Sequence, residues 1–288
     1  MNIKKSTTAL ALKIIQILAV LFIVFYIHEC RKTHNNILGD ELRVKLFNDI
    51  KGHESIRYNQ VWDSFSSTDI LIGSSNVVWD MYSYTAQKLP YEYQYSVDNK
   101  DQCGNFRQEG DCYNREHSFP SSFWGGDKDR PQFTDLFHIY PTDGRVNGVR
   151  GNFPYGEVNT SVRHFTSKNG SKMGQSNGCY TGRVFEPIDE FKGDIARTYF
   201  YMVTRYKPQI STWSRNHTGQ VLDGDNLSQC SQDILIKWHL QDPVSQKEIV
   251  RNKRIKKIQK NYNPYIQDPS LVCKVWNNNK LCNNQRKS

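Results

Sequence analysis

Apolar residues return at helical spacing in several places along the chain. Ile195, Tyr199, Met202, Val203 and Tyr206 recur at i, i+4, i+7, i+8 and i+11, which predicts a core helix over residues 189–206. Leu42, Leu46, Phe47 and Ile50 fall on one helical face after the N-cap candidate Asp40, and Gly52 stops that run. Shorter helices are predicted over 58–65 and 234–240, the second followed by Pro243. Ser245 and Glu248 have the capping-box spacing and open a further helix. Strand signals are fewer. Residues 76–83 have a β-branched and aromatic bias, and 182–187 read as a strand. Residues 84–112 are polar and turn-rich, and 160–182, rich in Ser, Asn and Gly, read as a surface loop. No repeat and no compositional break divides residues 43–276. The pattern predicts one α+β domain, largely helical, with a linker over 31–42 and a polar tail over 277–288.

The first thirty residues stand apart. Lys4 and Lys5 precede an apolar run from Ile14 to Ile27. Fourteen residues, apolar but for Gln16, suit a signal-peptide core; counted back to Ala9, the run could just span a bilayer as an anchor. Both readings of residues 1–30 place the remainder outside the cytoplasm, secreted or held at the membrane. Cysteine usage agrees with export. The seven cysteines contain no C-x-x-C pair, and six remain if Cys30 leaves with a signal peptide. Cys103 with Cys112 and Cys273 with Cys282 are the two pairs close enough to close locally. Six buried free thiols are the alternative.

A formal net charge of +9 attracts polyanions without choosing between nucleic acid, anionic membrane and acidic glycans. The stretch from Tyr113 to Val158 makes the choice. It contains Glu116 beside His117 and, farther on, Asn147. Hydrolysis of a phosphodiester needs an activated water and stabilisation of charge at the phosphate. A neutral imidazole serves the first need, and a hard cation on oxygen ligands the second. Neighbouring strand residues face opposite ways, so Glu116 and His117 meet at one site only near a strand end, which Pro120 predicts. Thr142 can cap a short helix that sets Asn147 and Arg150 three apart on one side. His138, between Phe137 and Ile139, reads as a hydrogen-bonded core or supporting histidine.

The segments Asn114–Pro120, Thr134–Asn147 and Gly156–Val158 together resemble the endonuclease I family of secreted bacterial nucleases. The likeness continues through Phe185–Glu190, Ala196–Phe200, Lys237–His239, Gln241–Glu248 and Ile258–Asn261, covering roughly residues 43–276. It implies a ββα-metal (His-Me finger) catalytic core within a mixed α+β domain. It implies His117 as general base, with Glu116 and Asn147 holding one Mg2+, for which Mn2+ or Ca2+ can substitute. Arg130 is the nearest candidate for the phosphate-contacting arginine of that family. From the residues themselves, Arg150 is a second catalytic candidate or a structural partner of a carboxylate, and Asp135 and His138 are candidates for supporting roles. The implied activity is cleavage of DNA, with RNA as a further substrate, at little sequence preference and leaving 5′-phosphate ends. The expected form is a monomer with no small-molecule cofactor. One departure is Gly151, where many members of that family have serine.

Residues 251–260 hold six basic side chains in ten. They form either a solvated helix face with Ile255 and Ile258 turned inward or a surface that tracks phosphates. The competing function class is a catalytically silent, secreted nucleic-acid-binding protein using the same surface.

Overall fold

The computed structural model describes residues 37–88, 91–213 and 219–285; the expected export segment over 1–30 lies outside them. Its centre is the helix predicted from periodicity. After a 3-10 turn at Asp189–Phe191, α4 (Lys192–Arg205) is buried along its whole length, polar residues included. It packs against α1 (Gly39–Ile50) and α5 (Gln229–Gln241). A helix buried on every face needs partners for its polar side chains. Arg197 finds the Glu248 carboxylate with two guanidinium nitrogens, at 2.5 and 2.7 Å. Glu248 belongs to α6 (Gln246–Gln259), whose start carries the predicted capping box with Ser245.

Three small sheets join these helices. β1 (Tyr113–His117) pairs antiparallel with β2 (Ile139–Asp143), with Glu116 opposite Tyr140 and His117 opposite Ile139. The chain turns directly from β2 into α3 (Gly144–Arg150). β3 (Phe165–Thr166), β4 (Lys172–Gln175) and β5 (Arg183–Glu186) form an antiparallel sheet in that order, and Leu222–Asp223 pairs with Asn226–Leu227. With α2 (Gln60–Thr68) against α6, the described residues make the expected α+β arrangement.

The six cysteines among the described residues pair as Cys103–Cys112, Cys179–Cys230 and Cys273–Cys282. The first sits where β1 and α3 begin: the Cys103 amide donates to the Tyr113 carbonyl and the Gly144 amide to that of Cys112, each at 2.9 Å. A Cβ at residue 144 would overlap the Cys103 sulfur and the Phe106 ring, so only glycine lets this disulfide lie on the first turn of α3.

Several elements differ from the sequence reading. Residues 76–83 form isolated bridges, Ile70 to Val78 and Val77 to Ser96, and then turns. Their aromatic bias reflects burial rather than a ladder: Val78, Met81 and Tyr82 are all core residues. The region expected as a loop over 160–182 contains β3 and β4. Asp143 caps α3 in place of Thr142, its carboxylate accepting from the Val146 amide. α1 starts at Gly39, inside the expected linker, and the tail carries a helix, Lys280–Gln285, tied back through Cys282. Gly151 ends α3 at φ +55, a conformation that suits glycine better than serine.

Asp135 joins the approach to β2 to the helices. It is fully buried; Oδ2 accepts from the Tyr201 and Tyr206 hydroxyls (2.9 and 2.8 Å), and Oδ1 from Gln259 and the Phe137 amide (3.0 Å each). Burial pushes its pKa up, but His53, His138 and these hydrogen bonds outweigh it, leaving the carboxyl below its ordinary value. A lowered folded pKa stabilises the native state above the unfolded carboxylate range and loses that contribution as pH falls through the folded value. Asp135→Asn is expected to cost about 1.5–3 kcal/mol at neutral pH, the scale of hydrogen bonds to a charged group. Urea unfolding at pH 7 and at pH 3 checks this; the gap between variant and wild type narrows in acid, and a constant gap contradicts the assignment.

Candidate active site

Glu116 is next to last in β1 and buried, with 3% of its surface exposed. Its Oε1 accepts from Arg150 at 2.9 Å and from the Tyr82 hydroxyl at 3.1 Å; the Tyr155 hydroxyl, 3.4 Å from Oε1, is 2.6 Å from that of Tyr82 and donates to it. Among the described residues no hydrogen bond reaches Oε2. Burial raises the Glu116 pKa, against the lowering effect of Arg150, Tyr82 and Tyr155. The Arg150 guanidinium is also fully buried. It donates to the carbonyls of His117 (3.0 Å) and Ser118 (2.6 Å), and lies 4.5 Å from the Tyr155 ring centroid. The last residue of α3 is thereby fastened to the end of β1.

His117 closes β1 and faces different neighbours. Its Nε2 lies 2.9 Å from the Phe133 carbonyl. A carbonyl only accepts, so Nε2 carries the proton and Nδ1 keeps the lone pair. The ring packs against Phe133 at 4.9 Å, His138 at 5.4 Å, Tyr58 at 6.0 Å and Trp124 at 6.4 Å between centroids. Arg115, two residues earlier on the same strand face, lies over Tyr58 at 3.6 Å and over Trp62 at 4.4 Å. Burial above all, then His138, Arg115 and Arg150, hold the His117 pKa down to about 3, against the hydrogen bond to Phe133. His117 is neutral at physiological pH.

Comparison with known proteins identifies the family. The endonuclease I family model matches residues 38–270. The chain belongs to the endonuclease I family. It is similar to an extracellular ribonuclease of Bacillus amyloliquefaciens, 31% identical over 83% of this chain and 74% of the relative. An extracellular ribonuclease of Bacillus subtilis (strain 168) is 29% identical over 83% of this chain and 75% of its own. Endonuclease-1 of Buchnera aphidicola subsp. Acyrthosiphon pisum is 32% identical over 46% and 44% respectively. Family membership makes the chain an enzyme of the nuclease class.

The residues expected at an endonuclease I site are distributed unequally. Glu116, His117 and Arg150 are directly linked, and Asn147 lies one helical turn before Arg150, half-buried, with no hydrogen bond from its side chain among the described residues. Asp135 and His138 stand behind His117: His138 Nε2 bonds the Gln132 carbonyl at 2.6 Å, and its backbone amide the Asp135 carbonyl at 3.2 Å. Arg130 is exposed and paired with Asp127 at 3.1 Å, on the rim of a cavity of about 290 Å³ that Trp124 and Gln132 also line. It touches neither Glu116 nor His117. Arg150, expected among the catalytic groups, is enclosed by its partners and placed to orient Glu116.

Sequence reasoning missed Tyr82, Tyr155, Phe133 and Tyr58. The Phe-Pro-Tyr-Gly run around Tyr155 was the visible signal for one of them; Tyr82 lay within the stretch expected as a strand. The described residues contain no group of three or more His, Cys, Asp or Glu able to hold a metal. One carboxylate oxygen and one amide oxygen fit a hard cation that retains several waters better than a zinc site.

Arg150→Ala leaves Glu116 buried without its cation and is expected to destabilise the fold by about 3–5 kcal/mol, with Arg150→Lys intermediate. Denaturant unfolding measures both. A loss below about 1 kcal/mol for the alanine variant, the range of surface pairs, contradicts the fastening described above.

Proposed function

We propose that this chain is an exported, divalent-metal-dependent endonuclease, acting without marked sequence preference on RNA and on DNA. Its catalytic core is β1, β2 and α3 in the ββα-metal arrangement. The observation that carries the reading is the Nε2–H to Phe133 carbonyl bond of His117, which leaves Nδ1 as the acceptor on a neutral ring at the end of β1. Such a ring takes a proton from water as that water attacks phosphorus, and the low dielectric around it favours the neutral state beforehand. The negative charge of an approaching phosphodiester favours protonation at the moment it is needed. Attack by water needs no ribose 2′-hydroxyl, so both nucleic acids serve, and expulsion of the 3′-oxygen leaves a 5′-phosphate. RNA is favoured because the relatives matched over 83% of this chain are named ribonucleases. Their names also support an extracellular location.

Glu116 Oε2 and the Asn147 amide oxygen would hold the cation, which when bound polarises the phosphoryl group and stabilises the departing oxygen. The protein's own task is to keep these ligands still. Arg150, Tyr82 and Tyr155 fix one carboxylate oxygen of Glu116 and so aim the other. Phe133 and Tyr58 fix the plane of His117, while His138 and Trp124 close its sides.

His117→Ala is expected to lower turnover by about 10²–10⁴-fold while leaving nucleic-acid binding nearly intact. Chelator is expected to abolish cleavage of RNA and plasmid by the wild type, and Mg2+ to restore it. Near wild-type turnover in the alanine variant removes His117 from the role of base. Binding without cleavage at any metal concentration leaves the silent nucleic-acid-binding protein as the better reading.

A further inference from the structure

The faces of α3 have different surroundings. Arg145 and Val149 are four apart and share one side, while Asn147, two positions from each, lies on the opposite side. The side bearing Arg145 looks across a cleft to the β3–β4–β5 sheet. Phe165 is opposite Met173 in the register, Met173 and Gln175 are two apart, and Gln175 is opposite Arg183. By the two-residue period these four share one sheet face. Between helix and sheet lies a cleft of about 750 Å³, with Arg163 and His164 along its edge.

Its chemistry is one-sided. No acidic residue lines it. Arg145, Arg163 and Arg183 are exposed, and none has a carboxylate partner among the described residues. Free arginines concentrated in one concavity are a site for several phosphates. Apolar surface accompanies them: Phe165 lines the cleft, and the Arg183 guanidinium lies 6.0 Å from the ring centroid of Phe153, which is 38% exposed. The wall is closely built. A Cβ at Gly174 would come 2.7 Å from the His164 Cβ, so only glycine there lets the segment bearing Arg163 lie flat on β4.

The geometry points to this cleft as a binding site for single-stranded polynucleotide, gripping phosphates on the three arginines and unpaired bases on the phenylalanine rings. The inference rests on the nuclease reading and adds to it which substrate form is held. A duplex hides its base faces, whereas a single strand offers them for stacking. The cleft and Asn147 are separated by the thickness of α3, about 10–12 Å with side chains. A strand engaging both sides of α3 must therefore extend several nucleotides beyond the bond being cut. Short oligonucleotides reach one side only, and long single strands reach both.

The basic face of α6 is the natural control. Arg251 there turns inward to Asp69 at 2.8 Å, while Lys253, Lys256 and Lys257 remain exposed. Binding is read by fluorescence anisotropy in chelator, so that nothing is cut, using labelled single strands of four and of twenty nucleotides and a twenty-base-pair duplex. The triple variant Arg145→Ala/Arg163→Ala/Arg183→Ala is expected to bind the twenty-nucleotide strand at least tenfold more weakly. Its slope of log affinity against log salt falls by about 2, the value for three phosphate contacts on a single strand. Its preference for the long strand over the short one shrinks with it. The equally discharged Lys253→Ala/Lys256→Ala/Lys257→Ala variant is expected to lose less than threefold. Arg183→Glu alone, at an exposed strand end, gives the same direction if the triple variant fails to fold. Equal losses in the two triple variants, or a loss for duplex matching that for single strand, overturn the assignment. RNA cleavage by the wild type with Mg2+ is measured alongside. Its failure removes the nuclease reading, whereas the binding comparison bears on the cleft alone.

Discussion

The buried ion pair between Arg150 and Glu116 is the constraint around which the site is arranged. One guanidinium holds a carboxylate and the carbonyls of His117 and Ser118 at the end of β1. A charge taken that far from water is tolerated only when it is paired and hydrogen-bonded, as both terminal guanidinium nitrogens of Arg150 are, while its Nε has no partner among the described residues. Strand end and helix end are therefore held in one geometry. Asn147, one turn earlier on α3, inherits its position from the same contact, and the Cys103–Cys112 bond steadies the other end of that helix. Glu116 is turned toward α3, His117 toward Phe133 and Tyr58, and Arg150 binds the side chain of the first and the carbonyl of the second.

Enclosure sets the electrostatics as well. Oε1 of Glu116 is engaged by Arg150 and Tyr82 while no hydrogen bond reaches Oε2 among the described residues, so the carboxylate is aimed by one oxygen with the other left open. His117, crowded by aromatic rings and near Arg115 and Arg150, is kept neutral with its protonated nitrogen assigned by Phe133. A neutral imidazole and a half-engaged carboxylate suit the proposed hydrolysis by activated water, provided a cation is supplied from solution.

Much of the site was legible because its parts are contiguous. Glu116 and His117 are neighbours, and Asn147 and Arg150 stand three apart, at helical spacing. The α4 helix was legible for a related reason, since Ile195 to Tyr206 follow one period. Contacts between distant segments were not legible: Tyr82 and Tyr155 come from 34 and 39 residues away, and no local pattern records that they meet Glu116. Strands of two and four residues, as in β3 and β4, are too short to alternate visibly within a polar stretch. Arg251 counted toward a basic run, yet Asp69, 182 residues earlier, takes it into the core. Which member of a charged run is buried depends on a partner elsewhere in the chain.

The central claim is that Glu116 and Asn147 hold one divalent cation beside a neutral His117. Mn2+ binding followed by electron paramagnetic resonance reads this without reference to turnover. The account predicts one ion per wild-type chain, binding at least tenfold weaker in folded Glu116→Gln and in Asn147→Ala, and unchanged binding in His117→Ala. Mn2+ binding that is indifferent to Glu116→Gln in a folded protein, or no bound ion in the wild type, would contradict it.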